Sequence, residues 1–128
     1  MIERENKLRF YRCSVCGKVM VMVEPTQAPT ICCGREMQEI VPQAEEGPFE
    51  KHVPVIEEKN GWIRVTVGSV EHPMDPAHYI EWIAVQTTNG FSIRYLEPGE
   101  KPEAEFSIGK ARVIGVWEYC SIHGLWQA

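Results

Sequence analysis

From His52 onward, apolar and polar residues often alternate with a period of two, as in Trp62-Ile63-Arg64-Val65-Thr66-Val67 and again in Phe91-Ser92-Ile93-Arg94-Tyr95-Leu96. That period is the mark of half-buried strands. Asn60-Gly61 and Asn89-Gly90 offer the positive φ angles that tight hairpins need. Gly109-Lys110 offers a third turn, between strands over 105–108 and 112–119. The pattern predicts roughly six or seven antiparallel strands and no helix. Strands in that number cannot cover themselves in one open sheet, so the expected architecture is an all-β sandwich of immunoglobulin-like size.

Residues 1–44 carry a different pattern. Short strands are expected over 8–13, 18–23 and 38–41, with a turn over 25–29, and no helical period is present. The run 42–48 holds two prolines, a glycine and two acids with almost no apolar content, which is the composition of a linker. The expected division is therefore 1–44, a small module with its linker, and 45–128, the sandwich. A segment of about 40 residues rarely folds on its apolar core alone. Four of the five cysteines fall before residue 34, where a metal staple would supply what the core lacks.

Charge and composition narrow the function. The first ten residues are charged and lack the apolar stretch of a secretory leader. No apolar run reaches the ~18 residues of a membrane span. A cytosolic protein is expected, with thiols kept reduced, so clustered cysteines point to metal rather than disulfides. The net charge of −5, without a basic block, argues against nucleic acid as a partner. It also means that an anionic substrate would have to be drawn in by local positive charge.

Cys13-Ser14-Val15-Cys16-Gly17 spaces two thiolates so that both reach one ion, with Gly17 relaxing the backbone beside them. Cys32 and Cys33 are adjacent. Neighbours on a regular strand point to opposite faces, so this pair can join the same ion only from a turn, for which Gly34 is placed. Zinc and iron accept the same four thiolates, and ligand type alone does not choose between them.

The rest of the chain holds one cysteine, Cys120, and all four histidines, His52, His72, His78 and His123. His52 precedes Val53-Pro54, which holds the chain extended. His72 and His78 bracket a loop stiffened by Pro73 and Pro76, and Cys120 and His123 share a C-x-x-H turn closed by Gly124. Singly, a histidine is more often a surface or core residue than a ligand. Together these five make a candidate second site at one end of the sandwich. Four imidazoles in a plane with an axial thiolate suit iron and leave a sixth position open. A thiolate opposite an open position pushes electron density toward a small oxygen species bound there.

These residues carry a resemblance to a known family. The stretches 11–17, 32–34, 50–57, 68–74, 78–83 and 118–124 are closely similar to desulfoferrodoxin, the two-iron class of superoxide reductase, over nearly the whole chain. The resemblance implies a desulforedoxin-like N-terminal domain whose Cys13, Cys16, Cys32 and Cys33 hold one iron. It further implies a second iron with His52, His72, His78 and His123 equatorial and Cys120 axial. The implied activity is one-electron reduction of superoxide to hydrogen peroxide at the ferrous second centre, with an external donor such as rubredoxin restoring it. Lys51 would attract the anion and help deliver the proton, and Glu50 would fill the open position in the oxidised resting state. A homodimer is implied as well. Two other readings stay open on the residues: a non-enzymatic iron electron carrier, and a zinc-stabilised β-sandwich binding module.

Overall fold

The computed structural model describes residues 6–45, 52–70 and 72–128. Among them no helix occurs, and the strands fall into two compact units, Lys7–Val41 and Pro42–Ala128 with Asn6.

In the first unit, β1 (Phe10–Arg12) lies between β2 (Val19–Val21) and β5 (Gln38–Ile40), antiparallel to both. A separate two-stranded hairpin, β3 (Ile31–Cys32) with β4 (Arg35–Glu36), carries the adjacent cysteines. Its two-residue loop is Cys33-Gly34, with φ of 53° and 73°. Both residues are left-handed, which is the geometry a two-residue hairpin demands. Sequence pattern alone misses this hairpin, because strands of two residues leave no periodicity. The buried core amounts to little more than Phe10, Cys13 and Met37.

The second unit stacks two antiparallel sheets. One has the order β10 (Glu103–Ser107), β7 (Trp62–Val67), β6 (Pro54–Lys59). The other runs β12 (Gly124–Gln127), β11 (Val113–Cys120), β8 (Ile80–Thr87), β9 (Gly90–Tyr95). Alternation on β7 sends Ile63, Val65 and Val67 inward, where they meet Ala104 and Phe106 of β10 and Ile83, Val85 and Val116 of the facing sheet. The expected all-β sandwich is what forms.

The turns differ in instructive ways. Asn60 and Gly61 take φ of 48° and 82°, as a tight hairpin requires. Asn89-Gly90 does not: neither residue has a positive φ, Gly90 already begins β9, and Thr87 Oγ1 organises the turn through Asn89. A local side-chain hydrogen bond thus replaces the left-handed backbone. Gly109 does turn the chain, at φ 59°, but β10 pairs with β7 and β11 with β8 and β12, so this connection switches sheets instead of closing a hairpin. The linker-like run at 42–48 begins as structure. Gln43 N–H donates to the Leu125 carbonyl (3.0 Å), and Gln127 N–H donates to the Gln43 carbonyl (2.9 Å), adding a parallel bridge to the β12 edge.

One irregularity bears on function. β11 and β8 keep register from Val116 to Tyr119, then slip, so that Tyr119 faces Trp82 but Cys120 faces Ile80. Glu81 is the extra residue. Such bulges re-aim a side chain at the end of a ladder, and here the re-aimed side chain is Cys120.

Candidate functional site

In the first unit the knuckle is built by backbone bonds. Cys13 N–H donates to Lys18 O (2.9 Å) and Gly17 N–H to Cys13 O (3.0 Å), and Gly17 turns back at φ 79°. Cys16 Sγ lies 3.8 Å from Cys32 Sγ, and Cys32 Sγ lies 4.0 Å from Cys33 Sγ. All four sulfurs fall within 4.8 Å of one another. A tetrahedron with metal–sulfur bonds of ~2.3 Å has edges of about 3.8 Å, so the cluster is already close to ligand geometry. Backbone N–H groups of Cys16 and Val15 aimed at its sulfur pull the Cys13 thiol down to about 6. Cys33, bonded to the Cys16 and Cys13 sulfurs, is pushed up to about 12, and Cys32 is raised by the same neighbours. The Cys13 thiolate forms readily, whereas Cys32 and Cys33 need a cation to offset the cost of ionising beside neighbouring sulfurs.

In the second unit the topology gathers residues at one end of the sandwich. His52 precedes β6, His72 and His78 lie between β7 and β8, and Cys120 and His123 flank the turn from β11 to β12. The ligand atoms of His52, His72, Cys120 and His123 fall within 4.8 Å of one another. His78 lies outside that tight group but closes a ring of imidazoles. Centroid separations run 4.5 Å (His52–His72), 4.9 Å (His72–His78), 5.1 Å (His78–His123) and 4.9 Å (His123–His52). Cys120 Sγ sits 3.7 Å from His72 Nε2 and 3.8 Å from His123 Nδ1. His52, His72 and Cys120 are buried, whereas His123 is exposed, so the thiolate lies on the core side of the ring.

Comparison with known proteins decides the family. The desulfoferrodoxin model matches residues 44–128, and the model of the desulfoferrodoxin N-terminal domain matches residues 5–40. The chain belongs to the desulfoferrodoxin family. It is 41% identical to a desulfoferrodoxin homolog of Archaeoglobus fulgidus, over 94% of this chain and 96% of that one. It is also 41% identical to the desulfoferrodoxin of Nitratidesulfovibrio vulgaris, over 96% and 97%. Among solved structures it resembles the superoxide reductase from Treponema pallidum, with a TM-score of 0.80 and 28% identity over 95% of this chain and 98% of that one.

Both clusters fit the two irons of a desulfoferrodoxin on their own chemistry. In the second, His72 Nδ1 lies 2.7 Å from the Pro73 carbonyl. A carbonyl only accepts, so Nδ1 holds the proton and the Nε2 lone pair faces Cys120, the tautomer a metal ligand needs. Four sulfurs in the first site and imidazole nitrogens with one sulfur in the second are donor sets that iron takes.

Several supporting residues of this chain escape sequence reasoning. Trp126 stacks on His52 at 4.5 Å between centroids and 13° between planes. Glu118 is wholly buried, with Oε2 3.9 Å from His52 Nδ1. Ser121 and Tyr79 exchange two bonds: Ser121 N–H to the Tyr79 carbonyl (2.9 Å) and Tyr79 N–H to Ser121 Oγ (3.0 Å). Only Glu118 left a readable trace, as the one acid on the inward side of an otherwise apolar strand, two residues before Cys120. Glu50 and Lys51 lie outside the described residues.

Proposed function

We propose that this protein is a superoxide reductase, which combines superoxide with one electron and two protons to give hydrogen peroxide. The observation that carries the reading is the ring of four imidazoles standing over a buried thiolate. We assign His52, His72, His78, His123 and Cys120 as ligands of the second iron, and Cys13, Cys16, Cys32 and Cys33 as ligands of the first. Iron at the second site supplies the electron when bound. Cys120 belongs to the packed core while His123 is exposed, so a small anion would reach the site from the His123 side.

The chain's own residues do the remainder. Cys120 would supply an electron-rich thiolate to the iron, and the four imidazoles would supply its nitrogen donors. Lys51, next to His52 in the sequence, would supply local positive charge that draws an anionic substrate to a chain of net charge −5. It would also organise proton delivery, and Glu50 would serve as a further carboxylate ligand in the oxidised resting state. Division of labour follows the two parts of the chain: the N-terminal module relays electrons and staples its own fold, and the sandwich, with Gln43 on its β12 edge, performs the reduction. A small redox protein of the rubredoxin kind is the assigned donor. The family resemblance supports a homodimer. A cytosolic location is supported by five cysteines free of disulfides. No helix among the described residues is long and apolar enough to cross a membrane.

The test is a single turnover. The chemically reduced iron protein is mixed with superoxide, and peroxide and dioxygen are measured together. Peroxide formed at the expense of protein electrons, without dioxygen release, is expected. Sustained dioxygen release with no donor consumed would mark a dismutase instead, and a colourless zinc protein would mark a binding module.

A further inference from the structure

The turn from Cys120 to Gly124 presents two of the assigned ligands, yet Ser121, Ile122 and His123 are all exposed. Packing therefore cannot hold it, although a ligand must be kept within about 0.5 Å of its productive position. The Ser121–Tyr79 pair secures its first half. The second half ends in Gly124 at φ 79°. Gly124 pairs with Cys120 as the last rung of the β11–β12 ladder, at a positive φ that glycine takes without strain, and His123 faces Cys120 through Nδ1, the ring nitrogen nearer the backbone. A tilt of the 123–124 peptide would swing the ligand atom directly.

Gln43 meets the peptide at its carbonyl. Its side-chain Nε2–H donates to His123 O at 2.7 Å, in addition to the two backbone bonds that seat residue 43 on β12. Any residue at 43 could make the backbone bonds, but the side-chain bond requires a donor of this reach. We propose that Gln43 is a positioning residue of the second iron site, holding the His123 carbonyl and thereby the aim of His123 Nδ1 beside the Cys120 thiolate. The inference rests on the ligand set assigned above.

Three variants of the full iron-loaded protein test it. Gln43→Ala removes the donor, Gln43→Glu keeps the length but presents only acceptors to a carbonyl, and Gln43→Lys keeps a donor. The readouts are the thiolate–iron absorption of the oxidised second centre and the rate at which a chelator strips that iron. The absorption of the four-cysteine centre serves as internal control. Gln43→Ala and Gln43→Glu should shift the band and release the second iron about fivefold faster, the ~1 kcal/mol of one hydrogen bond at about 1.4 kcal/mol per decade. Gln43→Lys should restore both, and the first centre should not change. Wild-type band and release rate in both Gln43→Ala and Gln43→Glu would overturn the role of Gln43 alone. A lowered melting temperature with band and release intact would make Gln43 a general staple and overturn it equally. Wild-type protein without any thiolate–iron absorption would overturn the ligand set itself, and the inference with it.

Discussion

At the scale of single residues, the second site depends on side chains that are not ligands. A histidine can aim only one nitrogen at a metal, and what lies at the other nitrogen decides tautomer and orientation. For His72 that partner is the Pro73 carbonyl; for His52 the group beside Nδ1 is the buried Glu118 carboxylate, with Trp126 against the ring face. Glu118→Ala should weaken iron binding at the second site by about 10- to 100-fold, the usual effect of losing such a neighbour. Chelator competition measures this, and unchanged affinity would leave Glu118 with a packing role only. Ligand identity was legible in the sequence because cysteine and histidine are scarce and clustered in this chain. Glu118 left only the trace of an acid at an inward position of β11, and Ser121 and Gln43 left none, since serine and glutamine occur everywhere and only the fold brings them to the site.

At the scale of elements, alternation reported the strands well where one face is buried, as on β7, and poorly where both faces are covered. On β8 and β11 nearly every residue is buried, so the period of two is blurred and the slip at Glu81 that aims Cys120 is invisible in the pattern. The same strand shows how closely the outward side of β11 is fitted. A Cβ at Gly115 would collide with the Trp117 ring, two residues along on the same face. Overpacking of this kind costs about 1–3 kcal/mol, so Gly115→Ala should lower the melting temperature of the sandwich. Calorimetry checks it, and an unaltered transition would mean that Trp117 has room to move. The turns teach the complementary lesson. Asn-Gly marked a hairpin at both places, but only Asn60-Gly61 turns on positive φ; at Asn89-Gly90, where β8 and β9 still pair, the Thr87 hydroxyl offered another way to turn.

At the scale of the whole molecule, two questions remain physical ones: how an acidic protein captures an anion, and whether its two centres need each other. Capture falls to local charge. If Lys51 supplies it, Lys51→Ala should slow the reaction with superoxide and flatten its dependence on ionic strength, because screening acts on the attraction that the lysine provides. Pulse-radiolysis rates equal to wild type at several salt concentrations would remove Lys51 from the mechanism. On the second question, every assigned ligand of the first iron lies within Lys7–Val41 and every assigned ligand of the second within Pro42–Ala128. Their resources are unequal. The sandwich has a core drawn from both sheets, whereas the first unit buries little beyond Phe10, Cys13 and Met37, and so depends on its metal to fold. Cys13→Ser strikes the most buried of the four thiols, one whose ionisation the Cys16 and Val15 backbone N–H groups favour. It should abolish the four-cysteine absorption and remove the melting transition of the first unit. Strands β6–β12 should still melt as in wild type, and the chemically reduced variant should still convert superoxide to peroxide in a single turnover. What it should lose is sustained turnover on a protein donor, if electrons enter through the first iron. Failure of the single turnover, with the second iron present by analysis, would show instead that the reduction itself requires both centres.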